Sequence, residues 1–467
     1  MSDFGIPPKG EEIRQIIQQR LQQALKEDGA KVSVDWRGEQ KHLHVISMPL
    51  DMVYFNPDTH RIRAQRSLDP ERDRTITDDP WGQAAQEYLQ ELLQQKPSNP
   101  GQVDPDYIAL RDELDSSGQR EPGIVSPHGI LVDGNTRAAA LKEIGVTNIR
   151  VAVLPEDTSR QDINDVELSL QLRKDRRRDY SYINRLIAID EELARGRSAA
   201  DVAKDFNIKQ KTLQGDRWVY ATILRAIERS QTVGGLSLRL IDFEEHQEKL
   251  RELYRDFTKV DAADPEAAQR LLESRLAMVL LGYPKTSLRL AEADFHTRYL
   301  ASRLPDELKD HATPTSRSVP GLPNISLPGQ SGETAAAEAL TDQLLKASAV
   351  TRNASASSPE DAEAATALIT KAKNAFGTAV KLAGQNAELV KRQMKVPERL
   401  TDAAEYINQC SDEFAEARAK RALDEDAFDD ALLVLRESLE RLARQAGRTF
   451  ATPGDGVAWL LDASRSS

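Results

Sequence analysis

The stretch Glu121 to Pro155, EPGIVSPHGILVDGNTRAAALKEIGVTNIRVAVLP, decides how the chain folds. Gly123-Ile124-Val125 and Ile130-Leu131-Val132 are short apolar runs joined by Ser126-Pro127-His128-Gly129, so they read as two strands around a turn. Asp133-Gly134-Asn135 turns the chain again. Thr136 to Ile144, with Ala138, Ala139, Ala140 and Leu141, is a strong helix former. Gly145 stops it, and the alternation Ile149, Val151, Val153 predicts the next strand. This order sets the Asp133–Thr136 turn at the N-terminus of a helix that follows a strand.

Working outward, residues 1–42 read as an N-terminal helical extension. It has a helix from Glu11 to Lys26 and a weak alternating run, Val32, Val34, Trp36. A domain over 43–158 starts with a second strand at His42 to Ile46. It passes through the turn Asn56-Pro57-Asp58 and a polar stretch from Arg61 to Asp79, then two helices around Leu89 to Leu93 and Tyr107 to Leu114. A mainly helical domain follows over 159–308. Pro314, Pro320, Pro323 and Pro328 give 309–345 the composition of a flexible linker. Residues 346–467 form a helical C-terminal region. There, Phe428, Leu432, Leu435, Leu439 and Leu442 follow the four-three spacing of a coiled-coil seam or of a bundle stripe.

Composition narrows the functional classes. In 467 residues, 63 Lys+Arg stand against 75 Asp+Glu, which excludes a uniformly basic nucleic-acid coat but not a local basic patch. No apolar run reaches the roughly 18–20 residues of a membrane span. The opening MSDFGIPPKGEEIRQ lacks the layout of a secretory leader, so a cytoplasmic setting without membrane contact is expected. Cys410 is the single cysteine, which rules out an internal disulfide and a cysteine metal cluster. The seven histidines show no ligand spacing, and no HExxH, Walker loop or GxSxG occurs.

Two constellations carry chemistry. In Asp133-Gly134-Asn135-Thr136-Arg137, glycine lets backbone approach a ligand, the first helical turn offers unpaired N–H groups, and Arg137 adds a forked donor suited to phosphate. On spacing alone the plainer reading, an ordinary turn beside a surface arginine, is the commoner one. The second constellation is Arg197 to Leu213, which fits a helix-turn-helix near 198–218. Ser198 and Asp201 form a capping pair, Ala203 allows close packing, and Asn207 suits the turn. Val202, Phe206, Ile208 and Leu213 supply a small core. The second helix would present Lys209, Gln210, Lys211, Thr212, Gln214 and Arg217 to a major groove. An ordinary helical hairpin with a solvated face has the same pattern. Between Leu170 and Tyr220, however, twelve Lys+Arg face eight Asp+Glu, and the run Arg173, Lys174, Arg176, Arg177, Arg178 is placed to neutralise phosphates.

Taken together, Tyr107 to Gly118, Glu121-Pro122-Gly123-Ile124-Val125 and Asp133 to Ala140 resemble the ParB/sulfiredoxin-like superfamily, over roughly residues 43 to 220. The resemblance implies an α+β ParB-like domain, then a mainly α-helical helix-turn-helix domain and the helical C-terminal region. It implies a phosphate site at Gly134, Asn135, Thr136 and Arg137, entered through Asn56-Pro57 and His60-Arg61-Ile62-Arg63, with Arg61 and Arg63 as further phosphate ligands. Glu167, in a segment similar to the family's nucleotide-closing helix, is implied as a Mg²⁺ ligand, although Leu168 replaces the family's Asn. Where partition proteins carry Gly-Glu-Arg-Arg, this chain has Gly134-Asn135-Thr136-Arg137. Sulfiredoxin chemistry is excluded, because Asn135 stands where that branch has its cysteine. The function expected is that of a DNA-binding protein in partition or transcriptional regulation, a homodimer gated by CTP or ATP with Mg²⁺. A protein partner is expected at the C-terminal helices. The alternative is a nucleoside triphosphatase or nuclease of the same superfamily in a mobile-element or phage-defence role, with Glu167 and Asp133 on a metal.

Overall fold

The computed structural model describes residues 5–27, 29–96, 99–172, 181–309, 317–319, 322–327, 331–420 and 422–465. The chain divides into two compact units, Met1–Gly384 and Gln385–Ser467. The first unit begins with helix α1 (Gly10–Lys26), strands β1 (Lys31–Trp36), β2 (Glu39–Pro49) and β3 (Tyr54–Phe55), and helices α2 (Arg63–Arg66), α3 (Pro70–Asp78) and α4 (Gln83–Gln94). A small pair, β4 (Gln95–Lys96) and β5 (Asn99–Val103), leads to α5 (Pro105–Ser117). Then follow β6 (Gly123–Val125), β7 (Ile130–Asp133), α6 (Asn135–Glu143) and β8 (Asn148–Val153).

The strands build one six-stranded mixed sheet in the order β1-β2-β8-β6-β7-β3. Side chains alternate across its faces, as the two-residue period of a strand requires. Val125, Leu131, Val151 and Val153 join Ile13 and Ile17 of α1, Leu89 and Leu92 of α4, Tyr107 of α5 and Ala138 to Leu141 of α6 in one core. Their neighbours Ile124, Val132 and Ala152 face the other way. They pack with Val34 and Trp36 against Ile163, Val166 and Leu170 of α7 (Arg160–Leu172). Residues 1–42 are therefore no extension. β1 is an edge strand paired with β2 along its length, and the expected boundary at 42/43 falls inside β2. The polar stretch 61–79 also folds. Asp69 caps α3 by accepting from the N–H groups of Glu71 and Arg72, with Pro70 in the first turn, a helix start that the hydrophobic pattern hides.

The hairpin β1–β2 is clipped to α7 by Arg37, one of two non-glycine residues with positive φ among the described residues. Its guanidinium donates to both carboxylate oxygens of Asp162, at 2.9 and 2.8 Å, and to Asp157. Asp162 also accepts from the Ser159 amide and hydroxyl at the start of α7. Arg37 thereby holds the Asp162 carboxyl well below the usual carboxylate range.

Downstream come α8 (Tyr182–Ala194), α9 (Ala199–Asp205), α10 (Gln210–Arg229), α11 (Gln247–Asp261), α12 (Pro265–Leu280) and α13 (Lys285–Leu288). After a short strand pair, β9 (Arg317–Val319) and β10 (Leu322–Leu327), α14 (Gly332–Arg352) packs on α12 with Leu340, Leu344 and Leu345 buried. The expected linker 309–345 thus ends in a core helix. Arg229 of α10 closes this bundle, with both its η nitrogens 2.9 Å from the buried Glu273 of α12 and its ε nitrogen 2.6 Å from Asp342 of α14. Helix α15 (Pro359–Ala419) starts in the first unit, where Phe376, Ala372 and Ala379 are buried, and continues into the second. The second unit also holds α16 (Glu425–Thr449) and α17 (Asp455–Arg465). No helix among the described residues is long and apolar enough to cross a membrane.

Two measurements check this architecture. Ile17→Ala should destabilise the protein by about 2–5 kcal/mol in urea unfolding, because it empties a fully buried site; an unchanged midpoint would make α1 dispensable. Arg37→Asn keeps a residue that tolerates the left-handed turn but removes the clip. The lowered Asp162 pKa contributes stability above the unfolded value of about 3.9, and that stability is lost as pH falls through the lower folded value. The stability gap between wild type and Arg37→Asn should therefore be present at neutral pH and shrink on acidification below about 3.9.

Candidate phosphate cradle and nucleic-acid interface

The turn Asp133–Arg137 lies where the sequence placed it, leading from β7 into α6. Gly134 adopts the left-handed conformation, φ 90°, and a Cβ on it would sit 3.2 Å from the Cα of Gly123. A Cβ on Gly123 would in turn meet the Asp133 carbonyl at 2.8 Å. The glycine pair is thus required by the close approach of β6 and the β7 exit. Arg137 is engaged within the fold. It donates to Asp133 Oδ2 at 2.6 Å and to the backbone carbonyls of Glu121 and Pro122 at 2.7 and 3.3 Å, so it staples the entry of β6 to the exit of β7. Thr136 is buried, and Asn135 is buried and fully engaged. The Asn135 side chain accepts from the Asn56 amide at 3.0 Å and donates to the Leu131 carbonyl at 3.2 Å.

The three segments singled out in the sequence do meet in space. Asn56 bridges Asn135 to Glu167 of α7, donating its side-chain amide to the carboxylate at 3.2 Å. Glu167, 2% exposed, also accepts from the His60 amide at 3.1 Å, from Gln171 at 3.1 Å and from the Thr59 hydroxyl. Three of these donors fall on Oε1 and one on Oε2, and no group of three metal-ligating side chains occurs among the described residues. Arg63 points away from the turn, 2.6 Å from Glu191 of α8 and 3.6 Å from Asp58. Arg61 lies 3.7 Å from Asp104, and Arg160 pairs with Asp58. Every guanidinium of the cradle is therefore balanced by a carboxylate.

Thr59, Asn184 and Glu191 are neighbours of this junction that the motif reading did not name, beside Asn56 and His60 in the segment it did. His60 is 1% exposed, with its ring nitrogens 3.6 Å from Glu167 and 3.7 Å from Glu191. Asn184 of α8 accepts from the Ala64 amide and donates to the Arg61 carbonyl, which docks the first helix of the bundle onto the α+β layer. The only sequence signal for them was the Asn-Pro-Asp turn, because hydrogen bonds across more than a hundred residues leave no local pattern.

The second constellation is also in place. The Ser198 hydroxyl caps α9 by accepting from the Asp201 amide and donating to its carboxylate. Asn207 takes φ 51° in the turn, and α10 begins after Lys209. Val202, Ala203, Phe206 and Leu213 pack with Leu168, Ala188 and Ile189 into a separate small core. Of the residues expected to face DNA, Lys209, Gln210, Lys211, Gln214 and Arg217 are exposed and Thr212 is half-buried. Arg173, Lys174, Arg176, Arg177 and Arg178 lie outside the described residues. The exposed row continues through Ala221 and Arg225, which the motif reading left out, and borders a shallow groove with Tyr220 and Asp190. Lys209, Lys211, Arg217 and Arg225 form no ion pair among the described residues.

The buried side of α10 is fixed. Asp216, 1% exposed, binds Arg185 of α8 at 2.9 Å and Arg251 of α11 at 3.2 Å. A Cβ on Gly215 would meet the Tyr254 ring at 2.8 Å, so glycine lets α10 and α11 touch there.

No family model and no curated protein matches this chain. Among solved structures, a likeness to ParB proteins recurs. One match is the C-terminally truncated chromosome-partitioning protein ParB from Caulobacter crescentus complexed with CTP-gamma-S, at 11% identity, covering 45% of this chain and 92% of that one, with a TM-score of 0.18. Another is a Pnob8-like ParB-N domain, at 14% identity, covering 58% and 86%, with a TM-score of 0.22. Neither superposition is close enough to carry function over to this chain.

Asn56→Ala should lower stability by about 1–3 kcal/mol in urea unfolding, since it strands the buried Glu167 carboxylate and the Asp58 amide while leaving the backbone bond to Asn135 in place. A change below the error of the measurement would mean that the junction is not a structural hub.

Proposed function

We propose that this chain is a ParB-like DNA-binding protein, acting in partition or transcriptional regulation, that reads DNA with the exposed edge of α10. One contrast carries the reading. The cradle's arginines are all neutralised within the fold, whereas Lys209, Lys211, Arg217 and Arg225 stand exposed, with no ion pair among the described residues, on a helix whose other side is locked. Unpaired cations on a rigid helix are what phosphate neutralisation needs, and Gln210 and Gln214 between them are suited to base edges. The turn at Asn207 between α9 and α10 leaves the start of α10 exposed, which supports reading the pair as a helix-turn-helix, a motif that reads the major groove. The metal-enzyme alternative gains no support from the site, where Glu167 accepts four hydrogen bonds, three of them on Oε1, and Asp133 is bound to Arg137.

Nucleotide gating is the second limb of this proposal. It is supported by the convergence of 56–60, 135 and 167 on one junction, and it requires Arg137 to exchange Asp133 for a phosphate. Any Mg²⁺ would arrive with the nucleotide rather than on Glu167.

The double variant Lys209→Ala, Lys211→Ala should weaken DNA binding and reduce the slope of log affinity against log salt by about 2, one per lost phosphate contact. Unchanged affinity and slope would overturn the DNA-reading edge. Calorimetric titration with CTP and with ATP, each with Mg²⁺, tests the second limb. Binding that is lost in Arg137→Ala supports gating, and silence with both nucleotides removes it while leaving DNA reading intact.

A further inference from the structure

Two largely bare apolar lines of the second unit meet beside one turn. On α15 the line is Leu400, Ala403, Ile407, Cys410 and Phe414, at intervals of three, four, three and four residues. On α16 it is the stripe Phe428, Leu432, Leu435, Leu439 and Leu442, at intervals of four, three, four and three. Leu400 is 49% exposed, Ile407 48%, Leu432 46% and Leu435 37%, and Cys410 is exposed too. The lines meet where the Phe414 and Phe428 rings stand 5.0 Å apart. Helix α15 ends at Ala419, and Asp424 caps α16 by accepting from the Ala427 amide, so this ring pair lies next to the turn between the helices.

We propose that α16 is a strap that closes along α15 of the same chain, packing the two lines as an antiparallel helical hairpin. The Phe414–Phe428 contact sets its register. Counting away from that contact, each interval on one helix equals the interval on the other. Cys410 comes opposite Leu432, Ile407 opposite Leu435, Ala403 opposite Leu439 and Leu400 opposite Leu442. A slip of one or two residues loses every pair. Small faces large at Ala403 and Cys410, so the seam can interdigitate. The flanking residues bring no two like charges together, with Ser411 opposite Asp429 and Ala404 opposite Arg436. Pro397 bounds the seam, because it has no amide for the Gln393 carbonyl and interrupts the helix just before Leu400. The closed length is therefore Leu400 to Phe414, about 21 Å at 1.5 Å per residue. The turn supplies the covering helix at an effective concentration on the order of millimolar, well above that of a second copy at micromolar protein. The strap involves α15 and α16 alone, and it does not depend on how the cradle or α10 works.

Cys410, the single cysteine, reports on closure in the full-length protein. Its reaction with a maleimide should be about tenfold or more slower than in urea-unfolded protein, as expected for a site that reacts only on local opening. That rate should not change with protein concentration, and Leu435→Lys should raise it without lowering helicity by circular dichroism. In Leu432→Cys, mild oxidation should join Cys410 to the introduced thiol within one chain, seen as a faster-running monomer on a non-reducing gel. Val434→Cys, on the outer side of α16, should not form that bond. Labelling of wild-type Cys410 at the unfolded rate would overturn the proposal. So would protection that grows with protein concentration, or a Leu432→Cys protein that links only between chains or not at all.

Discussion

One buried carboxylate, Glu167, holds the α+β layer to the helices that follow it. It sits on α7, which covers one face of the sheet, and receives hydrogen bonds from Asn56, Thr59, His60 and Gln171. Asn56 passes the connection on to Asn135 at the start of α6. A charged group this deep is tolerated only because its lone pairs are met by donors, and those donors are ordered only because the carboxylate is there. The short segment after β3 is thereby fixed, and α8 docks on it through Asn184. The position of everything from α8 to α10 follows from that docking.

Local chemistry made much of this legible beforehand. The 121–155 stretch announced β6, β7, α6 and β8 because its strands alternate between two cores and its helix is built of alanine and leucine. Ser198, Asp201 and Asn207 announced α9 and its turn, because caps and left-handed residues act within four positions of themselves. Longer-range pairing was not legible. β1 looked like a weak alternation in an extension, and only β2 makes it part of the sheet. The helix α14 hid behind proline-rich neighbours, since its burial against α12 has no signature in spacing.

The candidate site shows the same division. Motif reading located the turn, the glycine and the arginine, but it could not tell whose charge the arginine would meet. The answer came from Asp133, four residues back on the same turn, and from two carbonyls at the end of another strand. The hydrogen bonds that Glu167 receives were not legible in its motif, because a carboxylate poised for a metal and one bound by amides look alike in sequence. The exposure of Lys209, Lys211 and Arg217 on α10 was legible because exposure on a helix follows directly from its period.

The way α10 is seated has a consequence for how the molecule can change over time. Its anchoring residues, Gly215, Asp216 and Val219, belong to one side, and its outward row, from Gln210 through Gln214, Arg217 and Ala221 to Arg225, belongs to the other. No outward side chain takes part in the Asp216 network or in the small core around Phe206. Substitutions along that row can therefore accumulate freely while the scaffold beneath stays the same, so descendants of this chain could acquire different target preferences without passing through an unfolded intermediate genotype.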